Sequence, residues 1–125
     1  MQTSTTSSRS AVAFQLASAL DHYLLQLDGL APAASGACSS QLQDLTESVR
    51  DIRLRCAAFP ALQALFIELL IGHSELVFEM GRESPHRSGK ARRAALLATQ
   101  TQRAQNLLRG GIEPMLQACG STGAD

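Results

Sequence analysis

Tryptophan is absent from the 125 residues and tyrosine occurs once, so aromatic side chains make up only 4% of the chain. A core with so few rings must be filled mainly by Leu, Ala, Val and Ile. Cysteine is equally sparse. Cys38, Cys56 and Cys119 are an odd number with no close pair, and no Cys-x-x-Cys or Cys/His ligand spacing occurs. Neither a disulfide framework nor a zinc site is therefore expected, and small buried thiols are. No charge of one sign dominates either, with Lys plus Arg and Asp plus Glu at 11 each. The chain as a whole has no pull toward nucleic acid or an anionic membrane. Its opening, MQTSTTSSRS, lacks the apolar centre of a secretory signal. The longest apolar run, within 59–71, is broken by Gln63 and Glu68 and is shorter than the ~20 mainly apolar residues that span a bilayer. A soluble cytoplasmic protein without a membrane segment is the expectation.

Catalytic and metal-binding patterns are missing too. None of His22, His73 or His86 has Glu three residues before it, and no two histidines stand at ligand spacing. No metal and no cofactor are expected. There is no Gly-x-Ser-x-Gly, no Gly-rich phosphate loop and no His-Glu-x-x-His. Glu68, Glu75 and Glu79 recur at helical spacing, but a solvated face explains them. The chain does not read as an enzyme.

What the sequence does contain is helical periodicity, strongest over residues 60–80. Leu62, Leu65, Phe66, Leu69, Leu70, His73, Leu76, Val77 and Met80 fall on one helical face, stepping by three and four. A second apolar stripe, Ala64, Ile67, Ile71, Ser74 and Phe78, lies roughly opposite. Only Glu68, Gly72, Glu75 and Glu79 remain to face water. A helix apolar around most of its circumference belongs inside a bundle, or has its second face covered by another chain.

The flanking segments supply the rest of an all-α, four-helix bundle-like domain. An N-terminal Ser/Thr-rich stretch, 1–9, reads as a disordered tail. From Ala11 to Leu30, Val12, Leu16, Ala19, Leu20, Tyr23, Leu27 and Leu30 share a face, widened by Ala13, Ala17 and Leu24. Gly29 and Pro32 end that helix, and 31–38 forms a linker of small residues. A second helix opens at Ser39 and Ser40, where Ser40 and Gln43 have capping-box form. Its Leu42, Leu45, Val49, Ile52, Cys56 and Phe59 make a narrow two-per-heptad seam, and Asp51 pairs with Arg55 on the outside. Pro60 suits the first turn of the third helix, and Gly81 suits its end. The break at 84–89 precedes a fourth helix to Arg109 with a small-residue face of Ala94, Leu97, Ala98, Thr101, Ala104 and Leu108. Gly110-Gly111 is expected to stop it, with Pro114 starting a short C-terminal helical turn before a frayed 120–125. One domain, 10–119, results.

Function is then a matter of surfaces. The preferred expectation is a non-enzymatic protein acting through protein–protein association, a homodimer whose interface is Ala64, Ile67, Ile71 and Phe78. A further protein partner for the same helical surface is compatible with this. The alternative is a nucleic-acid-binding regulator using the basic segment 82–103, through Arg87, Lys90, Arg92 and Arg93. Charge is uneven enough to raise it, with 5 basic and 9 acidic residues in 1–83 against 6 and 2 in 84–125. No aromatic is interleaved there for base stacking, which weighs against it. His73, polar and central on the main apolar face, is a neutral core histidine or else a ligand contact or protonation switch. Tyr23 is its expected hydrogen-bond partner.

Overall fold

In a computed structural model of the chain, residues 2–30, 39–81 and 87–124 are described, with side chains over 9–30, 39–81 and 91–118. Every element among them is helical. In order they are α1 (Gln2–Leu30), α2 (Ser39–Cys56), a 3-10 turn (Pro60–Leu62), α3 (Gln63–Gly81), α4 (Arg87–Gln105), a π-helical turn (Asn106–Ile112) and α5 (Glu113–Ala124). α1 packs on α2 and α4, α3 also packs on α2 and α4, and α5 lies against α1. The four long helices thus form a ring, with α1 diagonal to α3. The expected linker at 31–38 and the break through Ser84, Pro85 and His86 lie outside the described residues.

The periodic pattern places the core as expected in the first three helices. α1 buries Ala13, Leu16, Leu20, Tyr23, Leu27 and Leu30, and α2 buries Leu42, Leu45, Val49, Ile52 and Cys56. Burial pushes the Cys56 thiol up to about 11, so it stays protonated and behaves as a small apolar side chain. The α2–α3 corner is compact. Phe59 takes the extended backbone that a following proline imposes, and its N–H returns to the Cys56 carbonyl at 2.9 Å. Its buried ring carries the Arg9 guanidinium 5.6 Å above it. Pro60 stands in the first turn of the helical run, where its missing N–H leaves no bond unmade.

Several expectations need correction. Helix α1 begins at Gln2 and α5 runs to Ala124, so both elements extend into the segments read from the sequence as tails. Gly110-Gly111 does not end the fourth helix. The backbone passes through a π turn, in which the N–H of Glu113 reaches the carbonyl of Leu108. Widening the helix just before Pro114 accommodates a ring that would otherwise crowd the carbonyl four residues back. Gly111 also lets the chain close on the 3-10 turn and the start of α3, since a Cβ there would stand 2.7 Å from Leu62 Cδ2 and 3.3 Å from Leu65 Cδ1. Finally, Pro60–Gly81 is long and apolar enough to cross a membrane by length and composition alone, which the interrupted run in the sequence understated.

Candidate functional site

The centre of the bundle is polar, and all four long helices build it. Tyr23 of α1, 0% exposed, places its hydroxyl 3.0 Å from Nδ1 of His73 on α3. Gln100 of α4, also 0% exposed, donates from Nε2 to the Tyr23 oxygen at 2.9 Å and to the Leu69 carbonyl at 2.9 Å. On the far side of the imidazole, Nε2 is 3.1 Å from Thr46 Oγ1 of α2, whose hydroxyl donates to the Leu42 carbonyl at 2.9 Å. The Tyr23 and His73 rings meet tilted by 55°, with centroids 5.9 Å apart.

Two main-chain carbonyls set the direction of every proton in this chain. A carbonyl only accepts, so Leu69 requires the Gln100 nitrogen beside it, and that nitrogen also donates to Tyr23. The tyrosine hydroxyl, its oxygen accepting, turns its own proton to His73 Nδ1. At the other end Leu42 takes the Thr46 proton, so Thr46 Oγ1 accepts from His73 Nε2–H. The imidazole is therefore neutral and protonated on Nε2. Burial lowers its pKa from the ordinary 6.5, in agreement with that assignment. Burial likewise raises the Tyr23 phenol, which stays protonated. A phenol, an amide, a neutral imidazole and a hydroxyl thus clamp the four long helices together through one hydrogen-bonded chain. Among the described residues no group of three His, Cys, Asp or Glu is placed to hold a metal ion.

Gly72 makes the clamp fit. A Cβ on it would stand 2.1 Å from both Gln100 Oε1 and Arg103 Nη1. The expectation that Gly72 lies on the wet strip is thus corrected, because it is buried against α4. Gln100 Oε1 itself is buried and has no hydrogen-bond partner. Two hollows open elsewhere on the surface. One, about 370 Å³, is lined by Leu65, Gln102, Gln105, Asn106, Arg109 and Gly110, and the other, about 160 Å³, by Gln26, Gly29, Gln41 and Asp44. Neither includes His73.

The sequence-predicted residues separate into three groups. Tyr23 and His73 meet, as their polarity suggested. Ala64, Ile67, Ile71 and Phe78 all stay on the outside of α3, with Ile67 50%, Ile71 54% and Phe78 64% exposed. Of the basic set, the described side chains are those of Arg92 and Arg93. Arg93 is only 3% exposed and belongs to the interior, while Arg92 bonds Glu79 of α3 at 3.3 Å. The side chains of Arg87 and Lys90 lie outside those described. Thr46 and Gln100 were missed. The fourth helix turns inward on Arg93, Leu97, Gln100, Ala104 and Leu107 rather than on Ala94 and Ala98, which are exposed. Stepping by four and three from Arg93 to Leu107 would have found Gln100, had polar residues been admitted to the inward row. Comparison with protein-family models, curated proteins and solved structures returns no match for this chain.

Proposed function

We propose that this is a non-enzymatic helical protein that works by protein–protein association, and that the outward face of α3 pairs with a second copy of the chain. The observation that carries this reading is the apolar stripe Ala64, Ile67, Ile71 and Phe78, which the other helices of the bundle leave at the surface. Half of the large apolar side chains exposed among the described residues stand on this one helix face: Ile67, Ile71 and Phe78, against Phe14, Leu25 and Leu54 elsewhere. Covering each contributes roughly 1–2 kcal/mol. A closed two-fold dimer is the commonest way for a small protein to cover such a face. The basic segment 82–103 supports nucleic-acid binding less well, since Arg93 faces inward and Arg92 is engaged by Glu79.

Light scattering on a sizing column, over a range of concentrations at low and high salt, tests the reading. A dimer that persists at high salt is expected. A monomer at every concentration would overturn it.

A further inference from the structure

The surroundings of the α3 stripe specify how two copies meet, an inference that rests on the association reading above. Helical geometry, about 100° per residue, orders the outward side of α3. Beginning next to α4 come Glu79, Glu68 and Glu75, then Ala64, Ile71, Phe78 and Ile67, then Ser74 and Gln63. The α4 side is fixed by the Glu79–Arg92 ion pair and by Gly72 against Gln100 and Arg103. The opposite side adjoins α2, whose level is fixed by Thr46 meeting His73. Because α2 and α3 run antiparallel through a short corner, Arg50 falls level with Leu69, and Arg53 with Phe66. Both arginines are exposed, and together they bracket the level of Glu68, also exposed. The apolar stripe thus has Glu68 and Glu75, both exposed, along its α4 margin, where Arg92 is paired with Glu79 and Arg103 lies against Gly72, and Arg50 and Arg53 on its α2 side.

That asymmetry discriminates between the two symmetric ways of pairing. If the two-fold axis ran across α3, the helices would be antiparallel and each margin would face its like, carboxylate against carboxylate. If the axis runs along α3, the helices are parallel, each margin faces the opposite margin, and residues meet at equal height. We infer that two copies of this chain pair through parallel α3 helices, with Glu68 of each copy facing Arg50 and Arg53 of the other. Like charges set face to face select strongly against an arrangement, whereas exposed opposite pairs add modestly to its affinity. The apolar stripe supplies adhesion and the margins supply orientation.

Charge reversal at Glu68 separates the alternatives, because this exposed position carries no core packing. Sedimentation would be run on the wild type, Glu68→Arg, Arg50→Glu/Arg53→Glu, and an equimolar mixture of the two variants, with circular dichroism confirming equal helicity. Parallel pairing predicts that each variant alone dimerises about tenfold or more weakly than the wild type, and that the mixture recovers a dimer. A Glu68→Arg protein that dimerises more tightly than the wild type would overturn the parallel arrangement while leaving association intact. In antiparallel packing the new arginine would face the carboxylate margin of the other copy. A wild type that is monomeric, including one that instead binds neutral phosphatidylcholine vesicles, would overturn the association reading itself and this inference with it.

Discussion

The two faces of α3 are both apolar and have opposite fates. The inward face carries Leu69, His73 and Leu76, each 5% exposed or less, and locks all four long helices through one polar chain. The outward face carries Ile67, Ile71 and Phe78, each at least half exposed, and Ser74 on it donates to the Leu70 carbonyl within the same helix. The inward row is the wider, with eight apolar residues against four outward. It also holds the one polar residue of the helix that finds partners inside: His73 has a phenol on one nitrogen and a hydroxyl on the other. A buried polar group costs free energy unless it is bonded, so these two partners are what allow His73 to lie on the inward face.

Deleting atoms from the inward face should have the largest effect. Leu69→Ala removes a fully buried side chain between helices and is expected to cost about 2–5 kcal/mol of unfolding free energy, read from denaturant titration. Gly72→Ala comes next. Arg103 can swing toward solvent, but Gln100 cannot withdraw without giving up its bonds to Tyr23 and Leu69. Offset by better helix propensity, the net loss should be about 1–2 kcal/mol, and a neutral or stabilised variant would show that α4 is not held so close.

Acid should then weaken the same face. The folded His73 pKa is lowered from 6.5 by burial, so as pH falls the unfolded chain takes up this proton first. The contribution of neutral His73 is complete above about pH 6.5. Below it, stability declines by at most about 1.4 kcal/mol per pH unit, until the folded imidazole is protonated as well. Comparing wild type with His73→Gln isolates this slope, and equal slopes in the two proteins would contradict the proton assignment. On the outward face, Ile71→Ser should change the unfolding free energy of dilute, monomeric protein by no more than about 0.5 kcal/mol, while weakening association.

The same contrast explains what the sequence discloses. In α2, Leu42, Leu45, Val49, Ile52 and Cys56 step regularly and are all apolar, so the inward row is legible at sight. In α4 the stepping through Arg93, Leu97, Gln100, Ala104 and Leu107 is the same, but two members are polar, and alanines on the wet side counterfeit a packing face. Tyr23 and His73 were readable as partners because each is a lone polar tip in an apolar row. Thr46 was not, since its role depends on which residue lies across the α2–α3 seam. Gly110 and Gly111 signal a stop in a single helix. That Gly111 closes on Leu62 while both glycines lie in a widened turn before Pro114 is seen only in the folded chain.

The central claim, that the outward face of α3 is a surface for association and not displaced core, is tested most directly by Ile67→Glu/Ile71→Glu. Mass from light scattering and helicity from circular dichroism would be read on the same sample. The account predicts a fully helical monomer where the wild type is a dimer. Loss of helicity in the double variant would contradict it, because carboxylates at these two positions unfold the chain only if the face is buried within its own bundle.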